Sequence, residues 1–125
     1  LGPLPYADYL RLLRVSAAHV YLTVPFVLSW SMLEAMASGC VVIGSDTPPV
    51  REAIEDGHNG LLVDFFSSDA IADRVIEAVR AGPRMDPIRH AARQTMLDRY
   101  ALDRCLPAQL SLLDTLSRRQ TPAAD

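Results

Sequence analysis

From His19 to Gly44 the chain runs through HVYLT, a loop PFVLSWS, the segment MLEAMASG and then CVVIG, and no other stretch restricts the fold as much. HVYLT and CVVIG are short, apolar and rich in β-branched residues, as buried strands are, whereas Leu, Glu, Ala and Met favour helix. Gly39 suits the left-handed residue that closes such a helix. Strand, loop, helix and strand in that order make a parallel crossover, so the chain reads as α/β. CVVIG, apolar throughout, has the pattern of a central strand covered on both faces.

The remaining elements follow from local signals. Leu4 to Ser16 place Tyr6, Tyr9, Leu10 and Leu13 at helical spacing, with Pro5 in a first turn, which predicts an amphipathic helix covering the sheet. Asp46 or Thr47 is expected to cap a short helix at Pro48-Pro49, and Glu52 falls near its start. Asp56-Gly57 and Asn59-Gly60 are turn dipeptides that lead into a third strand, Leu61 to Val63. Ser67 or Ser68 caps a helix from Asp69 to Arg80 whose stripe is Ile71, Val75, Ile76 and Val79. Gly82-Pro83 ends it, Asp86-Pro87 opens another to Tyr100, and Asp103 opens a last one through Leu106, Leu110, Leu113 and Leu116. The expectation is one domain over residues 1–119, with a frayed tail over 120–125.

Composition removes several classes of function. Half of the 125 residues are hydrophobic, yet no run approaches the ~20 apolar residues of a membrane span. Net charge is −3 and no basic cluster exists, which argues against a nucleic-acid partner. All twelve cations are Arg, so Schiff-base chemistry and a lysine clamp on phosphate are excluded within this segment. Cys40 and Cys105 match no metal spacing and read as reduced thiols of a cytoplasmic protein, and neither metal nor cofactor is expected. Phosphate-loop, dinucleotide, nucleophile-elbow and zinc-protease motifs are absent from the sequence.

Candidate ligand residues cluster after the first strand. Glu34 is the only acidic side chain between Asp8 and Asp46 and sits in an apolar, hydroxyl-bearing segment. A carboxylate repels phosphate but accepts hydrogen bonds from a diol such as a ribose. Ser29 and Ser31 are either helix caps or hydroxyl donors to an anion at the helix start. Trp30 reads most simply as packing, with stacking on substrate left open, and Phe26 either walls a pocket or fills core. Met32, Leu33 and Met36 are core by spacing. His19 and Tyr21 read as structural, Tyr21 as a packed aromatic whose hydroxyl finds a partner.

The runs LEAMASGCVVIGSD and VREAIEDGHNGLLVD resemble the donor-binding, C-terminal half of GT-B glycosyltransferases of the retaining family 4 type. The resemblance covers most of Tyr6 to Val79 and is specific over Leu33 to Val63. It implies a truncated Rossmann-like, three-layer domain with a partial parallel sheet of about three strands. It also implies a nucleotide-sugar donor and transfer of the sugar to an unknown acceptor with retention. Glu34 takes the place of the second glutamate of the family's E-x7-E motif, which holds the ribose, and Leu33 goes with it into the nucleotide site. Phe26 stands where the first glutamate would touch the donor sugar, so the sugar pocket is assigned to Phe26, Val27, Leu28 and Trp30. Val27, Leu28 and Ser29 replace the family's glycine-rich loop and Pro48-Pro49 its Gly-Gly turn, leaving the hydroxyls of Ser29 and Ser31 to bind the diphosphate.

The same resemblance implies an acceptor domain upstream in a longer parent chain, and activity is not expected of this segment alone. Strands missing beside HVYLT leave an open edge at which His19 to Thr23 would self-associate. No catalytic residue is identified. The alternative is a Rossmann-like module that has lost its donor-sugar contacts and serves in binding or assembly.

Overall fold

The computed structural model describes residues 2–24 and 27–119, so the tail expected over 120–125 lies outside the described residues. In chain order the elements are α1 (Tyr6–Val15), β1 (His19–Tyr21), α2 (Trp30–Ala37), β2 (Val42–Ser45), α3 (Pro48–Arg51), β3 (Leu61–Val63), α4 (Ser68–Ala81), a 3₁₀ turn (Gly82–Met85), α5 (Asp86–Arg99) and α6 (Leu102–Arg119). The strands form one parallel sheet in the order β1-β2-β3. His19 pairs with Val42, and Ile43 with Leu61.

Two cores sandwich the sheet. Cys40 and Val42 point to one face, where Leu13 of α1, Met32 and Met36 of α2, Val50 of α3, and Ala92 and Met96 of α5 pack against them. Val41 and Ile43 point to the other, against Ala78 of α4 and Met85. This alternation is the two-residue period of a strand, and it makes β2 fully buried on both sides. On α4 Ala78 is buried and Ile71 and Val75 are partly buried beside it, while Ile76 and Val79 are exposed; an alanine lets the helix approach closely, and the expected stripe was rotated too far. Along α6, Leu106, Leu110, Leu113 and Leu116 are all exposed, although their spacing is helical. None of the helices among the described residues is long and apolar enough to cross a membrane.

Side chains rather than longer strands tie the elements together. β1 ends at Tyr21 instead of Thr23 because the Ser45 hydroxyl intercepts Thr23, accepting from its N–H at 3.0 Å and donating to its carbonyl at 2.8 Å. Gly39, at φ 75°, ends α2 as expected. Beyond it, Arg93 of α5 donates to the Ala37 carbonyl at 2.7 Å, and Arg89 to Gly39 at 3.2 Å and Ala17 at 2.9 Å. Cations thus meet carbonyls at the negative end of α2 and fix where the helix sits. Asn59, read only as a turn residue, is buried: its Oδ1 accepts from the Glu55 N–H, and its Nδ2 donates to the Ala53 carbonyl and to Thr95 Oγ1.

His19 is half-buried, and burial alone lowers its pKa, so it stays neutral near pH 7 in keeping with a structural role. Its strand leaves one edge unpaired among the described residues.

Gly44 shows how tight the central layer is. A Cβ there would lie 2.8 Å from Cγ1 of Val50 and 3.4 Å from Cδ1 of Ile54. Valine is stiff at χ1, so Gly44→Ala is expected to cost about 1–3 kcal/mol. Gly2→Ala, which meets nothing within 4 Å, is the control. Urea unfolding of both variants checks this, and equal midpoints would overturn it.

Candidate functional site

Helices that lead into parallel strands run back along them, so the first turns of α1 and α2 lie at the carboxyl ends of the strands, where α/β sheets bind ligands. α2 begins at Trp30 and has no acidic residue in its first turn. Ser29 is its N-cap: the hydroxyl accepts from the Ser31 N–H at 3.3 Å and lies 3.0 Å from the Ser31 hydroxyl. The Ser29 N–H donates to the Tyr21 hydroxyl at 3.1 Å, the partner expected for that tyrosine. Ser29 is therefore held by its own helix, and Ser31 is the hydroxyl beside it on the positive helix end.

Glu34 follows one turn later and is half-buried. The Tyr6 hydroxyl, from the start of α1, donates to Glu34 Oε1 at 2.9 Å. Tyr6 was expected on the covering face of α1 with Tyr9, Leu10 and Leu13; those three pack on the core, but Tyr6 is 62% exposed and reaches across to α2 instead. Its pKa is raised, first by the hydrogen bond to Glu34, and that of Tyr9 is raised by burial and then by the Glu34 charge. Both phenols stay protonated at neutral pH and remain donors.

On its other side Glu34 borders an apolar groove of about 260 Å³, in which Trp30, Leu33 and Ala37 of α2 face Met96, Leu97 and Tyr100 near the end of α5. Leu33 thus contributes to both the core and the groove wall. Trp30 is 82% exposed, which overturns its reading as a packing residue: as first residue of α2 it lines this open groove instead of filling core. Val27 is exposed, while Leu28 packs against the core. Phe26 lies outside the described residues.

At the end of β2 the expected capping does not occur. Thr47 occupies the N-cap position of α3 without a side-chain cap bond, and its hydroxyl oxygen is buried with no partner among the described residues. Asp46 instead receives two hydrogen bonds from Arg51, from Nε at 2.5 Å and Nη2 at 2.7 Å, a fork that outcompetes a single backbone N–H. A larger hollow of about 530 Å³ opens between the loop after α3 and α5, lined by Arg51, Glu52, His58, Asn59, Thr95 and Arg99. It excludes Glu34, and its one buried polar side chain, Asn59, is spent on bonds to backbone and to Thr95, so size alone does not make it the site. Among the described residues no group of three or more His, Cys, Asp and Glu could hold a metal ion.

The Arg51 hydrogen bonds, ahead of its charge, hold the Asp46 carboxyl below the ordinary carboxylate range. A lowered folded-state pKa stabilises above the unfolded value, and the gain disappears as pH falls through the folded value. Both side chains are exposed, so the effect on stability is small and the titration itself is the cleaner readout. The Asp46 carboxyl carbon, followed by NMR, is expected to titrate below the ordinary range and to return to it in Arg51→Gln. An unchanged midpoint would show that the fork does not form in solution.

Residues 16–95 match the family model described as glycosyl transferases group 1. Among solved structures the chain is similar to sucrose-phosphate synthase from Thermosynechococcus elongatus, with a TM-score of 0.76 and 21% identity over 97% of this chain and 30% of that one. It is also similar to Anabaena HepE in complex with UDP-glucose, with a TM-score of 0.75 and 19% identity over 86% of this chain and 29% of that one. No match was found among curated protein sequences. The chain thus spans about 30% of the length of these solved proteins, which share its fold. The parallel sheet with helices on both faces is a Rossmann-like arrangement of the kind found in GT-B glycosyltransferase domains. With more than half of its residues matched, the chain belongs to the group 1 family of glycosyl transferases.

Proposed function

We propose that this chain is the donor-nucleotide-binding part of a retaining glycosyltransferase of the family 4 type, acting within a longer protein that supplies the acceptor domain. The observation that carries the reading is the placement of Glu34, a half-buried carboxylate one turn into α2 at the carboxyl end of the sheet, with no ion-pair partner among the described residues. An unpaired carboxylate there suits a neutral diol, and a ribose is the diol that a nucleotide-sugar presents.

In this reading the ribose lies on Glu34, with Leu33 behind it, and the diphosphate lies toward the α2 N-terminus near Ser31 and the Ser29 cap. Val27 and Trp30, both exposed, are left to border the sugar together with Phe26. Leu28 supports that wall from the core. HepE, crystallised with UDP and with UDP-glucose, supports a nucleotide-sugar as the ligand class. The protein's part in catalysis is to stabilise negative charge on the departing nucleoside diphosphate by the helix end and hydroxyl donors, without metal. The choice of sugar is set partly by the loop before α2, and that of the acceptor by the acceptor domain of the parent protein.

Calorimetry on the full parent protein with UDP, GDP and ADP tests this. Glu34→Ala is expected to weaken the tightest of the three by about 1.5–3 kcal/mol with the fold intact. No binding of any diphosphate, or binding indifferent to Glu34, would move the chain to the alternative of a non-catalytic assembly module.

The unpaired edge of β1 is the second point of the proposal. Val20 and Leu22 are about two-fifths exposed along it, and an apolar edge invites a further strand, from the parent chain or from a second copy. The 125-residue segment alone is expected to associate with rising concentration in sedimentation runs, and Val20→Lys to reduce that association. A segment that stays monomeric throughout would remove the edge from consideration.

A further inference from the structure

Tyr6 presents a feature that its own helix does not explain. Tyr9, Leu10 and Leu13 anchor α1 to the core, yet Tyr6 leaves its ring 62% exposed and commits its hydroxyl to a carboxylate 28 residues further on. The exposed ring contributes little to burial and tilts against that of Tyr9, with centroids 6.2 Å apart, while the hydroxyl is committed to Glu34. It also lies ahead of residues 16–95, the part of the chain matched to the family, so its role is not carried by that match.

The bond matters because of what Glu34 lacks. No cation pairs with it among the described residues, and a glutamate on a helix surface explores several rotamers. Ordering it when ligand arrives costs side-chain entropy, which a pre-formed bond removes in advance. A neutral donor does this without cancelling the charge. An arginine in the same place would occupy both oxygens as a fork, as Arg51 does on Asp46, and leave fewer lone pairs for a diol. A phenol takes one position on Oε1 only. Its raised pKa, caused first by that same hydrogen bond, keeps the proton on the phenol.

We propose that Tyr6 is a positioning residue of the donor site: its hydroxyl holds Oε1 of Glu34 so that the remaining lone pairs of the carboxylate face the ribose diol. The proposal rests on the ribose role of Glu34. It adds that recognition of the ribose is shared between the starts of α1 and α2, two helices joined here by a side-chain bond at the ligand-binding end of the sheet.

Paired ligands separate positioning from general stability. On the full parent protein, the tightest-binding of UDP, GDP and ADP is compared with its 2′-deoxy form, in wild type, Tyr6→Phe and Glu34→Ala. Tyr6→Phe keeps the ring and removes only the donor. It is expected to weaken the ribonucleotide about three- to tenfold, the range of one hydrogen bond, and to leave the deoxynucleotide nearly unchanged, so that discrimination between the two falls. Glu34→Ala is expected to abolish the discrimination. Equal weakening of both ligands by Tyr6→Phe would mark a purely structural tether and overturn the proposal, as would no effect on either. If Glu34→Ala leaves the discrimination intact, the ribose reading itself fails, and Tyr6 falls with it. Should Tyr6→Phe not fold in the parent, Tyr6→His, which keeps a donor on a shorter ring, is expected to retain part of the discrimination, and equal weakening of both ligands by that variant would overturn the proposal.

Discussion

Everything in this chain is arranged around the burial of β2. Its four residues have no exposed side, and the neighbouring Cys40 and Val41 are equally covered. A strand covered on both faces needs helices above and below: α2, with α1, α3 and α5, covers one face, and α4, which comes after β3 in the chain, covers the other. The layer is close enough that Gly44 leaves no room for a methyl group between β2 and α3. Space of that kind is set by contact across three elements.

The same packing delivers the site. With its apolar residues Met32, Ala35 and Met36 turned to the sheet, α2 must present Trp30 and Glu34 elsewhere, because residues four apart share a face and these two are out of phase with the core stripe. Arg89 and Arg93 then hold the far end of α2 through its carbonyls, and Ser29 caps the near end. A helix fixed at both termini fixes the backbone that carries the carboxylate, and Tyr6 restricts its side chain.

Polar groups at the end of β2 divide between structure and surface. Ser45 completes the pairing of β1 that the strand itself does not, and Asp46 is taken by Arg51. Neither is left for a ligand. Thr47, buried without a partner, is the one hydroxyl in that row whose bonding the described residues do not account for. Sites and scaffolds in α/β folds draw on the same residue types at the same strand ends, so residue identity there does not separate the two uses.

Periodicity and punctuation were enough for the class of fold, the three parallel strands and the cap at Gly39, since each depends on residues adjacent in the chain. They failed where the outcome depends on partners remote in sequence. The stripe of α4 is set by how near Ala78 lets the helix come to β2, and the end of β1 by a serine side chain from β2. The fork on Asp46 is chosen over a cap because Arg51 lies within reach once α3 has formed. Asn59 looked like a turn and is a buried bracket because Thr95 of α5 arrives beside it. A lone carboxylate in an apolar stretch could be picked out by its composition, but that Tyr6 would hold it could not: a hydrogen bond between residues 6 and 34 exists only after two helices have packed on the same sheet.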